Sequence, residues 1–167
     1  MKTYQLHTNY KQILADTITP VSVYLKIRDK FPNSILLESS DYHANDNSFS
    51  YICFNPIASI KVENNTIETH FPDRFSEITP IDSNVNVVKE IEKFSNQFLT
   101  EKSDFKFISQ GLFGYIAYDA IQYFEKVTLA KKSKENEIPE IYYAVYQNVI
   151  AINHFKNEAY IFCHNSD

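Results

Sequence analysis

"IYYAVYQNVIAINHFKNEAYIFCH", residues 141–164, decides the fold. Two runs rich in aromatic and β-branched residues flank a polar break at Phe155, Lys156 and Asn157, the pattern of a long antiparallel hairpin. A second hairpin reads from "IASIKVENNTIETHF": one arm over 57–62, a turn at Asn64 and Asn65, and a return arm over 67–71. Asparagine tolerates positive φ better than most residues, so it replaces glycine in such turns. Further toward the N-terminus, "SFSYICFNP" is a strand expected to stop at Asn55 and Pro56, and "ILLES" (35–39) is a short strand between turn signals. "TYQLHTNYKQIL" alternates well enough for one or two short strands.

Helices punctuate these strands. In "ADTITPVSVYLKIRDKF", Thr19 is a good N-cap and Pro20 suits the first helical position. Val21, Tyr24, Leu25 and Arg28 follow at helical spacing, and Pro32 predicts an end near Phe31. "NVNVVKEIEKFSNQFL" predicts a second helix with an apolar stripe of Val87, Val88, Ile91, Phe94 and Phe98. "FKFISQGLFGYIAYD" reads as a strand leading into a short helix, "DAIQYFE". Residues 40–47 and 72–83 are polar connections, and "KVTLAKKSKENEIPE" is a charged surface loop. The expected class is α+β: antiparallel β-sheets, sandwich-like, with two or three flanking helices in a single domain over 1–167.

Composition narrows the function. At 167 residues the chain is long enough to bury one substantial core. Its net charge of -5 offers no basic footprint for nucleic acid or an anionic membrane. No apolar run approaches the ~20 residues needed to span a bilayer, and the start, "MKTYQLHTNYKQ", lacks the apolar core of a signal peptide. The expected location is therefore cytoplasmic, with Cys53 and Cys163 as buried, reduced thiols.

Motifs for catalysis are scarce. His7, His43, His70, His154 and His164 are scattered, none with a second ligand at metal-site spacing. Gly111 and Gly114, the only glycines, superficially suggest a phosphate loop. Bulky Leu112 and Phe113 separate them, however, and Tyr115, Ile116 and Tyr118 continue as a strand, so close backbone approach is the expected reason for glycine. In "LLES", Leu37 and Ser39 share one strand face, and Glu38 and Ser40 share the other. Glu38 closes an apolar run, where an ionised carboxylate is costly without a partner. Two readings stand: a strand-end glutamate that reaches solvent or pairs with a lysine, and a carboxylate and hydroxyl lining a pocket suited to a ligand ammonium group.

Taken in order, "TP" opening a helix, "LLES", "SFSYICFNP", "GLFGYIAYDAIQYFE" and "IPEIYYAVYQNVIAINHF" resemble the N-terminal domain of anthranilate synthase component I, the chorismate-using large subunit of tryptophan biosynthesis. The resemblance covers nearly the whole chain and extends to the sister enzyme, aminodeoxychorismate synthase component I. It implies a feedback-regulatory domain that binds L-tryptophan where it meets its own catalytic domain. That catalytic domain, absent from this chain, would bind chorismate and Mg²⁺, and a glutamine amidotransferase subunit (component II) would supply ammonia. The chain alone would then have no catalytic residues, no metal site and no cofactor, while the parent protein is a carbon–oxygen lyase. By the same resemblance Glu38 and Ser39 belong to the tryptophan site, with Leu37 as apolar wall, Ser40 beside them, and Ser50 from "SFS" near the same pocket. Ser48 stands where the family often has arginine, Cys53 where glycine is usual, and Gln110 in place of the first glycine of a common pair. An exposed domain interface would favour self-association of the chain alone. A stand-alone binding or scaffold domain is the reading from a different class.

Overall fold

The structure, a computed structural model, describes residues 2–38, 48–127 and 138–166. Its strands are β1 (Tyr4–Leu14), β2 (Ile35–Glu38), β3 (Phe49–Glu63), β4 (Thr66–His70), β5 (Ser76–Pro80), β6 (Phe98–Thr100), β7 (Phe113–Ile116), β8 (Ile141–Asn153) and β9 (Glu158–Ser166). They form one nine-stranded sheet in the order β5-β4-β3-β8-β9-β1-β6, with β2 also paired to β3 and β7 to β8. Every pairing is antiparallel except β1 with β6. Helices α1 (Pro20–Arg28) and α2 (Val87–Ser95) and a short 3-10 helix (Tyr118–Tyr123) complete the described elements. The α+β expectation holds, and so does the long C-terminal hairpin of β8 and β9, turning at Asn157 with φ 53°.

Asparagine carries the turns as expected. Asn64 (φ 51°) and Asn65 (φ 58°) join β3 to β4 with both central residues left-handed, the geometry that matches strand twist. Asn55 and Pro56, in contrast, do not end a strand. β3 runs on for 15 residues, and the register against β8 shifts between Pro56 and Ala58. Asn55 at φ 58° supplies the kink, and the missing proline N–H costs nothing at a bulge.

Other boundaries moved for similar reasons. The N-terminal segment is one strand of 11 residues, paired to β9 from Leu6 to Leu14. The connection over 72–83 contains edge strand β5, whose residues are mostly exposed and so give little hydrophobic pattern. α1 starts as predicted, with the Ser22 backbone N–H donating to the Thr19 side chain. It ends at Arg28 rather than near Phe31, and turns Val23, Tyr24 and Ile27 to the sheet while Val21 and Leu25 stay exposed. α2 is capped by Asn86 and stops at Ser95, so Phe98 lies in β6, its ring stacked on that of Tyr4 at 5.6 Å. Of its predicted stripe, Val88 is exposed. The 40–47 loop lies outside the described residues, as does 128–137, most of the charged loop.

Three apolar clusters fill the fold. One, with Leu6, Ile60, Phe94 and Ile141, packs α2 against the sheet. A second, with Cys53, Tyr146 and Phe162, lies under the segment carrying Phe105 and Phe107. The third, with Ile52 and Ile152, faces α1. Each fully buried large side chain contributes ~1.5–3 kcal/mol.

Candidate functional site

β2 pairs with β3 so that Leu37 faces Tyr51 and Glu38 faces Ser50. Directly opposed residues present their side chains on the same face. Glu38 is exposed and has no side-chain partner among the described residues, so the lysine pairing is not seen and the carboxylate reaches solvent. Ser50 opposite it is fully buried. Leu37 lies half-buried on the other face, against the cluster of Phe49 and Phe113. Ser39 and Ser40 fall outside the described residues.

The structure adds a neighbour that sequence reasoning missed. Ser50 also pairs with Ile152 on β8, and its hydroxyl lies 2.7 Å from Nε2 of His154 in a hydrogen bond. The His154 backbone N–H donates to the Ser48 carbonyl at 3.1 Å. Just before it, the Asn153 side-chain oxygen accepts from the backbone N–H groups of Phe155 and Lys156, both at 3.0 Å. This turn fixes His154 over the start of β3. The serine is buried, so the pair positions the strand ends instead of presenting a nucleophile to solvent. His154 is 104 residues from Ser50 in sequence, and only the β3–β8 register could have linked them. What results is an exposed carboxylate, able to accept hydrogen bonds from a cationic group, opposite a buried hydroxyl tied to an imidazole.

Elsewhere, a cavity of about 360 Å³ is lined by Asn33, Ile35, Lys61, Glu68, His70 and Tyr142 among others, and by none of the site residues expected from the sequence. Its charges are committed to one another: Lys61 Nζ lies 2.6 Å from Glu68 Oε2, and Glu68 Oε1 lies 2.9 Å from His70 Nε2. Lys61 holds the Glu68 carboxyl below its ordinary range. Cys53 is buried, which pushes its thiol up and keeps it protonated, whereas Cys163 is only half-buried. Among the described residues, no group of three or more His, Cys, Asp or Glu is placed to hold a metal ion. No helix among them is long and apolar enough to cross a membrane.

The glycines take different roles. A Cβ on Gly114 would overlap the Tyr142 carbonyl, the close approach expected from the sequence. Gly111 has open space around it and takes φ 130°.

Residues 32–167 match the family of chorismate binding enzymes. The chain belongs to the chorismate-binding enzymes. Among relatives, anthranilate synthase component 1 of Lactococcus lactis is 31% identical over 154 residues, 91% of this chain and 31% of that protein. The protein of the same name from Methanothermobacter marburgensis is 28% identical over 88% of this chain and 30% of its own length. That of Aquifex aeolicus is 27% identical over 74% and 24% respectively. The chain thus spans about a third or less of the relatives it matches. A crystal structure of anthranilate synthase component I from Streptococcus pneumoniae aligns over 90% of this chain and 31% of that chain, with a TM-score of 0.49 and 20% identity.

One titrating group is deeply placed. His164 is 2% exposed, stacked on Phe162, with Nδ1 2.8 Å from the Thr8 hydroxyl. Burial lowers its pKa below 6.5, and the Ser109 backbone opposes this more weakly. The unfolded chain therefore binds a proton that the fold resists. Stability should be full above pH 6.5 and fall as pH drops through that value toward the lower folded-state pKa, by up to about 1.4 kcal/mol per pH unit from this group. Urea midpoints between pH 8 and 5 should show the decline, and His164→Gln should flatten it; an equal decline in the variant would assign it to other groups.

Proposed function

We propose that this chain is the N-terminal, feedback-regulatory part of an anthranilate synthase component I, and that Glu38 and Ser39 bind L-tryptophan. Leu37, Ser40 and Ser50 complete the surroundings. The observation that carries this reading is the register of Glu38 opposite Ser50, which sets at the lip of the sheet an exposed carboxylate with no side-chain partner among the described residues. An amino-acid ammonium group would give that carboxylate a charge-assisted hydrogen bond. The names of the relatives and the ordered motifs support the same assignment. Leu37, on the opposite face from Glu38, would shape the strand rather than touch the same end of the ligand.

The catalytic domain, lying outside this chain, would bind chorismate and Mg²⁺, with ammonia from an amidotransferase subunit. Tryptophan inhibits if it binds the inactive arrangement of the two domains better than the active one. In the complete enzyme, Glu38→Ala and Ser39→Ala should leave anthranilate formation within about twofold and weaken tryptophan inhibition roughly 10- to 100-fold, the value of one charge-assisted hydrogen bond. Fluorescence of anthranilate at increasing tryptophan measures both. Unchanged inhibition in the two variants removes these residues from the site. Formation of anthranilate by the 167-residue chain itself, given chorismate, ammonia and Mg²⁺, would overturn the division into regulatory and catalytic parts.

A further inference from the structure

We propose that residues 101–112, which join β6 to β7, are a strap that opens in mild acid, with the His164 imidazole as its trigger. The strap has no strand or helix of its own, and none of the backbone–backbone hydrogen bonds that tie other loops involves it. Rings hold it instead. Phe105 lies against Tyr10 at 4.9 Å and Phe162 at 5.2 Å, and Phe107 against Phe49 at 4.5 Å. Gly111, at φ 130° with open space around it, gives one end of the strap room to turn.

His164 lies beneath the strap and is joined to it. The Gln110 amide donates to the Glu101 carbonyl, Gln110 Oε1 accepts from the Thr8 hydroxyl at 3.4 Å, and the Thr8 oxygen lies 2.8 Å from Nδ1 of His164. With its own proton committed to Gln110, Thr8 accepts from Nδ1–H, which leaves Nε2 to take up a further proton. Nε2 is buried and has no hydrogen-bond partner among the described residues. A proton there would place a charge in a site 2% exposed, with no carboxylate acting on the ring. The Ser109 backbone favours the charged form, but less strongly than burial opposes it. Between strap and sheet lies a cavity of about 230 Å³, lined by Thr8, Tyr10, Ser103, Phe105, Gln110 and Phe162. Thr8 and Phe162 are also the neighbours of the imidazole, so lifting the strap lets water reach it. The strands beside it are held by continuous pairing and have no such freedom.

Under the closed strap the ring resists protonation, and once wetted it takes a proton near its ordinary 6.5. The closed form is therefore fully favoured above pH 6.5 and loses ground below it, by up to about tenfold per pH unit. Neighbouring charges do not produce this effect. His7 Nδ1 lies 3.4 Å from Glu101 Oε1, and a charge on His7 would pull the strap closed. Glu101, Lys102 and Asp104 are exposed, so water screens them. From β8 and β9 the same face carries Val149, Tyr160 and Phe162, none of them charged. Because Phe107 packs in one cluster with Leu37 and Phe49, release of the strap reaches β2.

Single-thiol labelling tests the strap. In a Cys53→Ala, Cys163→Ser background, Ser109→Cys places a thiol in its buried part, and Ala58→Cys places one in the separate cluster packed by α2. Reaction with a pyridyl disulfide is followed at pH 7.5 and 5.5, each rate divided by that of free glutathione at the same pH. The Ser109→Cys rate should rise roughly three- to tenfold, tenfold being the limit for one proton over that interval, while the Ala58→Cys rate stays level. Adding His164→Gln should remove the rise. In the unsubstituted chain, NMR should show the His164 ring titrating below 6.5, a measurement that needs no change at position 164. A level Ser109→Cys rate would overturn the proposal, as would an equal rise at Ala58→Cys, which signals unfolding of the whole sheet. So would a rise that survives His164→Gln, or a His164 ring that titrates at or above 6.5.

Discussion

Gly114→Ala should destabilise the protein by about 3 kcal/mol, at the upper end of the cost of overpacking. The added methyl group would run into the Tyr142 carbonyl and the Cα of Tyr143, which are backbone atoms of the paired strand and cannot rotate away. β7 is only four residues long, so displacing it at Gly114 separates most of its pairing with β8. Gly111→Ala makes the informative comparison. Space is open around it, and the cost there is the positive φ alone, roughly 1–3 kcal/mol. Urea unfolding of both variants measures the difference; a Gly114→Ala shift below that of Gly111→Ala would refute the steric account.

Phe162→Ala should cost about 3–5 kcal/mol, as large-to-small changes of buried aromatics do. Phe162 is fully buried, and its ring lies 5.2 Å from that of Phe105, 6.2 Å from Phe107 and 5.9 Å from Tyr10. The segment between β6 and β7 has no strand or helix of its own. It is held by these rings and by a few polar contacts, such as Ser103 to Ser109 at 2.9 Å and the Gln110 amide donating to the Glu101 carbonyl at 2.8 Å. Loss of the Phe162 ring should therefore raise hydrogen exchange over 103–109 before it affects β3 or β8. Phe162→Leu, which keeps much of the volume, should cost less than half as much. Uniform exchange changes across the sheet would show that the segment is not separately anchored.

The features legible in the sequence were those set by a residue's own conformational limits. Thr19 and Pro20 announce α1 because capping and proline geometry are local. Asn64, Asn65 and Asn157 announce turns because asparagine enters the left-handed region at little cost. Ends of elements are not legible from local signals where distant pairing decides them. Pro56 signals a stop, yet β8 pairs with β3 on both sides of it and carries the strand through as a bulge. Phe98 continues the apolar stripe of α2, but parallel pairing with Tyr4 draws it into β6. At the candidate site, Glu38 was conspicuous as a charge closing an apolar run. His154 was not, because its place beside Ser50 exists only after two strands far apart in sequence align.

The asparagine turns have a consequence for the unfolded chain. Among the described residues, Asn33, Asn55, Asn64, Asn65 and Asn157 all take positive φ, where many proteins place glycine. Glycine would relax each turn slightly, but it would also multiply the conformations open to the denatured protein. Removing that freedom at a compatible site is worth roughly 0.4–1 kcal/mol. With only two glycines in 167 residues, the disordered chain is itself stiffened, and it has fewer alternatives to give up when the sheet forms.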